Sequence, residues 1–209
     1  MSDPTLEYCQ AHTSPPNAVL TELERATHLR TLSPQMLSGA YQGTLLRFVS
    51  QMIRPRRVLE IGTFTGYSTI CLAEGLSADG LLHTIEANDE LGWLIRAYLH
   101  KAGLAEKVQL HLGDAATIVP ALHEMFDLVF LDAGKLDYAR HYELALTKMQ
   151  PGAFLLVDNV LWDGKVVRGD PQDATAQVLR NFNDLVHRDA RVENILLPLR
   201  DGIMVVRKR

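Results

Sequence analysis

The feature that most constrains this chain is an alternation of short apolar runs with longer amphipathic ones, from Arg57 onward. Arg57 to Ile61, Leu81 to Glu86, Val108 to Leu112, Phe126 to Leu131 and Ala153 to Val157 have strand length and few polar interruptions. Helix-period stretches separate them, at about Tyr67 to Leu76, Glu90 to Ala102, Ala115 to Leu122 and Tyr138 to Met149. Apolar strands joined by helical crossovers form a parallel sheet covered on both faces. Beyond a loop rich in Asp, Gly and Pro (Asp163 to Asp173), one more helix leads to Val192 to Leu197, and Arg200-Asp201-Gly202 turns the chain into Ile203 to Val206. Asp-Gly is a hairpin signal, so the final strand is expected to run antiparallel. The expected fold is α/β: a doubly wound, mostly parallel seven-stranded sheet with an antiparallel last strand.

Two helix-period patterns precede the sheet, from Asn17 to about Leu32 and from Leu45 to Ile53, the second ending before Pro55. Pro4, Pro15 and Pro16 interrupt any pattern before them, so residues 1–16 read as a flexible arm on a single domain spanning 1–209. A chain of 209 residues, 47% hydrophobic, can bury one sizeable core. Its net charge of −4 gives no basic field, which argues against nucleic acid as partner or substrate. No segment has the length and apolarity of a membrane span, and no basic region leads into an apolar run at the start. Cys9 and Cys71 stand in neither redox nor zinc spacing, which suits a reducing compartment, so the cytoplasm is the expected location.

In an open α/β sheet, ligands bind outside the carboxyl ends of the strands where strand order reverses, usually beside the first strand. The loop there reads Val58-Leu59-Glu60-Ile61-Gly62-Thr63-Phe64-Thr65-Gly66-Tyr67-Ser68. Gly62 allows backbone close to a ligand and Gly66 a tight entry to a helix, features common to many α/β proteins. Glu60 discriminates better: a carboxylate beside the loop repels a pyrophosphate and attracts an ammonium. The Gly-x-x-x-Gly spacing also departs from the dinucleotide fingerprint, while Glu86, at the end of the second strand, can accept ribose hydroxyls. These features favour a cationic adenosine cofactor over a nicotinamide dinucleotide.

Two further strand ends are acidic: Asp132 follows Phe130-Leu131, and Asp158-Asn159 follows Leu156-Val157. Each alone is explained as a cap or turn residue. If their strands are neighbours, the ends lie about 5 Å apart, and two carboxylates with an amide oxygen form a hard site for Mg²⁺, Ca²⁺ or Mn²⁺ rather than zinc.

Val58 to Ser68 resembles the first motif of class I S-adenosylmethionine-dependent methyltransferases. Leu59 to Ser68 more narrowly resembles the cation-dependent O-methyltransferases, the group that contains caffeoyl-CoA and catechol O-methyltransferases. The resemblance runs from about Met36 to the C-terminus. It implies that Glu60, Gly62 and Ser68 hold the methionine part of S-adenosylmethionine, with Glu86 on the ribose, Ala115 on the adenine side and Thr63 also among the cofactor-binding residues. Met36 and Ser38 match the segment that closes over the cofactor, and Asp132 stands beside it. Leu155 to Gly164 resembles the family's metal-binding segment, which assigns Asp132, Asp158 and Asn159 to a divalent cation, Mg²⁺ first and Ca²⁺ or Mn²⁺ as alternatives. Asp132-Ala133-Gly134-Lys135 resembles the family's Asp-Ala-Asp-Lys, with Gly134 in place of the second aspartate.

Methyl transfer from a sulfonium is an in-line displacement, so the chain must align an oxygen nucleophile and make it anionic. A dication that chelates vicinal oxygens serves both needs. Lys135 matches the family's lysine beside the reacting hydroxyl and is the candidate base. The function expected is O-methylation of a catechol-like or vicinally hydroxylated aromatic small molecule, by a homodimer as is common in the family. A nitrogen or other acceptor, or a cofactor-binding module without turnover, are the alternatives. A nucleophile elbow is absent, since Gly66-Tyr67-Ser68-Thr69-Ile70 lacks its final glycine. Trp162 and Tyr138 are aromatic candidates for the acceptor wall, with core packing as the competing use.

Overall fold

The computed structural model describes residues 4–169 and 172–209. Strands β1 (Arg57–Ile61), β2 (Leu81–Glu86), β3 (Val108–Leu112), β4 (Phe126–Leu131), β5 (Met149–Val157), β6 (Val192–Leu197) and β7 (Ile203–Lys208) form one sheet in the order β3-β2-β1-β4-β5-β7-β6. Strands β1 to β5 pair in parallel, and β7 runs antiparallel to both β5 and β6. This is the architecture expected from the alternation of runs. The order reverses between β1 and β4, so their carboxyl ends open a crevice.

Helices α1 (Pro4–Ala11), α2 (Ala18–Arg30), α3 (Gly39–Ile53), α4 (Tyr67–Ala73) and α5 (Gly92–Lys101) precede β3 in the chain. Helices α6 (Ala115–Ala121), α7 (Tyr138–Lys148), α8 (Lys165–Arg168) and α9 (Ala174–Arg188) follow it. Side chains alternate across each strand, which sorts the core into two layers. Val58, Leu128, Phe130 and Leu156 pack with Leu46 of α3, Tyr67 and Ile70 of α4 and Leu94 of α5. Leu59, Ile61, Val129, Leu131 and Val157 pack on the other face with Val119, Tyr138, Tyr142, Leu179 and Phe182. Phe182 of α9 meets the Tyr138 and Tyr142 rings edge-on, which seats α7 and α9 together.

Several boundaries differ from the sequence reading, each for a local reason. Residues Pro4–Ala11 are helical where an irregular arm was expected; Pro4 occupies the first turn, where a missing N–H costs no helical bond. Residues 1–3 of that arm, and Asp170 and Pro171 of the Asp163 to Asp173 loop, lie outside the described residues. Helix α3 begins at Gly39 rather than Leu45, because its first turns bury Gln42 and Gly43 instead of apolar side chains. A β-carbon on Gly43 would come 2.7 Å from Tyr67, so this glycine lets α3 lie against α4. Strand β5 begins at Met149 rather than Ala153, and Pro151 is tolerated because pairing with β7 starts only at Phe154. No described helix is long and apolar enough to cross a membrane.

Candidate active site

Strand register builds the site. Ile61, Leu131 and Val157 occupy one rung across β1, β4 and β5, so the next residues, Gly62, Asp132 and Asp158, end their strands side by side. The rung is tied by Asp132 N donating to Ile61 O at 2.9 Å and Asp158 N donating to Leu131 O at 3.0 Å. A cavity of about 920 Å³ opens over this rim, a volume suited to a cofactor and a small acceptor together.

One end of the cavity is built largely from backbone, with the carboxylates of Glu86 and Asp114. Gly62 has φ +100°, and a β-carbon there would overlap the carbonyl of Asp132, so only glycine lets the loop cross the end of β4. Glu86 accepts from Phe64 N at 2.6 Å and from Asn88 N at 2.9 Å, which fixes the carboxylate at the cavity wall. Ala115 opens α6 on this wall, with Asp114 capping the helix through Ala116 N at 2.9 Å. Met36 and Ser38, from the turn before α3, also line the cavity.

Glu60, Thr63 and Ser68 do not line it. The two-residue period of β1 turns Glu60 away, onto the α4 face beside Val58, where it is fully buried. Its Oε2 accepts from Thr69 and, at 2.6 Å, from Thr84, whose hydroxyl in turn pairs with Thr63. Burial pushes the Glu60 carboxyl up to about 7, against the hydrogen bonds from Ser68, Thr69 and Thr84. Glu60, Thr63 and Ser68 thus lie against the loop from beneath, linked through the hydroxyls of Thr69 and Thr84.

The other end is acidic. Asp132, Lys135, Asp158, Asn159 and Trp162 all face the cavity, and Gly134 leaves its stretch of wall without a side chain. Lys135 Nζ lies 2.7 Å from Asp132 Oδ1 and over the Tyr138 ring at 5.2 Å. Tyr138 itself is core: it is fully buried and donates to Asp158 O at 2.9 Å. Burial first, and the Asp132 charge second, push the Asp158 carboxyl up to about 7. Asn159 has φ +58°, a conformation Asn tolerates better than most residues, and its Nδ2 lies 3.5 Å from Asp201 Oδ2. The amide oxygen is then the atom suited to a hard ligand. Among the described residues no three His, Cys, Asp or Glu side chains cluster with metal-holding geometry. The oxygen set of Asp132, Asp158 and Asn159 nonetheless fits a hard dication, since a positive charge would relieve the repulsion that raises Asp158.

Sequence reasoning missed Gln42, Arg200, Asp201 and His141. Gln42 donates to Asp158 Oδ2 at 2.6 Å, and the other three line the cavity. In the sequence Arg200 and Asp201 signal only a hairpin turn, and their place near the carboxyl ends of the strands emerges from the fold.

The O-methyltransferase family model matches residues 10–209. A catechol O-methyltransferase of Niastella koreensis is 33% identical over 170 residues, covering 79% of this chain and 77% of that protein. A caffeoyl-CoA O-methyltransferase of Stellaria longipes is 29% identical over 202 residues, covering 90% and 83%. The crystal structure of an O-methyltransferase from Bacillus cereus in complex with SAH superposes with a TM-score of 0.89 at 31% identity, covering 98% of this chain and 97% of that one. With an O-methyltransferase model matching nearly its whole length and the rim of β1, β4 and β5 arranged as described, the chain belongs to the O-methyltransferase family that includes the catechol and caffeoyl-CoA O-methyltransferases.

Proposed function

We propose that the chain transfers the methyl group of S-adenosylmethionine to a hydroxyl oxygen of a catechol-like or vicinally hydroxylated aromatic small molecule, with a divalent cation held by Asp132, Asp158 and Asn159. The observation that carries this reading is the shared rung: a glycine-lined crossing and a cluster that can offer oxygens of Asp132, Asp158 and Asn159 end neighbouring strands in one cavity. SAH bound to the Bacillus cereus relative supports the donor.

In this reading Glu86 accepts from the donor's ribose hydroxyls, Ala115 borders the adenine, and Met36 and Ser38 cover the donor from the α3 side. Gly62 admits it close to the backbone, and Glu60 and Ser68, with Thr63 beside them, hold its methionine part from the loop, as the family resemblance implies. Mg²⁺ is the first candidate for the cation, with Ca²⁺ or Mn²⁺ as alternatives; when bound, it supplies charge that lowers the pKa of a coordinated hydroxyl. Lys135 takes the acceptor's proton, and Trp162 walls the acceptor so that its oxygen stays in line with the methyl group. Cytoplasmic residence and a homodimer belong to the same reading, the first supported by two free cysteines and the second by the family resemblance.

The test is a methyl-transfer assay with labelled S-adenosylmethionine against catechols, caffeoyl thioesters and flavonoids, with and without EDTA. Chelator-sensitive methylation of a vicinal diol is the expected result. Chelator-insensitive methylation of an amine, or donor binding with no transfer to any acceptor, contradicts it.

A further inference from the structure

Gln42 and Arg200 lie outside every motif, yet they join the two ends of the cavity. Gln42 is only 1% exposed; its amide nitrogen donates to Asp158 Oδ2 at 2.6 Å and its amide oxygen accepts from Arg200 Nη1 at 2.9 Å. The same guanidinium donates to the carbonyl of Ser38, and its Nη2 lies 3.4 Å from that of Leu37. One planar fork therefore grips the segment that carries Met36 and Ser38 and, through Gln42, the carboxylate of Asp158.

The orientation of Gln42 is determined by its partners. Turning the amide over would set its oxygen against Asp158 and its NH₂ against Arg200, replacing two attractive contacts with two repulsive ones. Arg200 also holds φ +49°, a backbone conformation easier for Gly or Asn, so its place in the turn is explained by the side chain's contacts.

We propose that Arg200 and Gln42 form a positioning relay that couples closure of the Pro34–Ser38 segment over the donor to the orientation of Asp158 at the acceptor end. The relay rests on reading the cavity as a site for donor and dication. Neither residue touches the reacting atoms in that reading. A coupling of this kind is reciprocal: whatever settles the segment on the donor also settles Asp158, and a dication drawing on Asp158 tightens the segment. A merely structural role would lower stability, or both affinities, without changing the factor by which one ligand affects the other.

The experiment is a calorimetric cycle on the full chain: SAH titrated with and without Mn²⁺, and Mn²⁺ with and without SAH. It compares wild type with Arg200→Ala, Arg200→Lys and Gln42→Met, each checked by thermal melting. In the wild type each ligand tightens the other by the same factor, about fivefold or more. Arg200→Ala and Gln42→Met still bind SAH, with that factor falling toward one, and Arg200→Lys, which keeps the charge but not the fork, falls between. Should Gln42→Met fail to fold, Arg200→Ala at the cavity rim carries the test. An undiminished factor in the variants, or a wild type that binds SAH indifferently to Mn²⁺, overturns the relay while leaving donor binding intact. A wild type that binds neither ligand overturns the functional reading and the relay together.

Discussion

A β-carbon on Gly62 would overlap the backbone carbonyl of Asp132, so the loop after β1 and the first acidic strand end are in contact with no room between them. Gly62→Ala must push the loop off β4 and adopt φ +100° with a side chain. Overpacking of this kind costs about 1–3 kcal/mol, and an alanine at positive φ adds to it. Urea unfolding should show a loss of that size, and calorimetry should show SAH binding weakened beyond measurement in the fraction that folds.

Lys135 stands 2.7 Å from Asp132 Oδ1 at the cavity wall. Lys135→Ala should lower kcat by roughly 10²-fold or more, the usual contribution of a placed base, while leaving SAH affinity within a few-fold. Undiminished turnover in that variant removes Lys135 from the chemistry.

Much of this site was legible because it is written in strand ends. Leu59 to Ser68 announces a loop between a buried strand and a helix, and the apolar runs before Asp132 and Asp158 set both acids at strand termini whose register only the sheet could confirm. The face that Glu60 takes was not legible, because position along the chain does not fix it; the residue lies fully buried on the α4 side with Val58. Gln42 and Arg200 were invisible because their meaning is a contact across more than a hundred and fifty positions, with no periodicity to announce it. Helix α1 escaped notice since it buries no side chain and so carries no apolar stripe.

If Asp132, Asp158 and Asn159 hold a dication as proposed, its removal separates binding from chemistry. EDTA should abolish turnover, while SAH still binds, more weakly, through Glu86 and the Gly62 loop. Asp158→Asn should cost dication affinity more than the roughly 10–100-fold typical of outer-shell partners. Full activity in EDTA assigns Asp132 and Asp158 to some other task.

A second group of titrating side chains lies away from the cavity. His83 Nδ1 is 3.0 Å from His111 Nε2, and His83 Nε2 is 3.7 Å from Glu124 Oε1. Burial holds both imidazoles below their ordinary range, His83 against the pull of Glu124. The unfolded chain therefore takes up protons first, so this contribution to stability is complete above about pH 6.5 and is lost as the pH falls through the lowered values. His111→Leu should flatten the decline of melting temperature as the pH falls below about 6.5. An unchanged slope contradicts the assignment.

The most direct measurement is a crystal structure with SAH and Mn²⁺, using manganese's anomalous signal. It should show one anomalous peak bounded by oxygens of Asp132, Asp158 and Asn159, with the ribose of SAH on Glu86 in the same cavity. SAH bound there with no peak, or a peak elsewhere while these three side chains turn apart, contradicts the account.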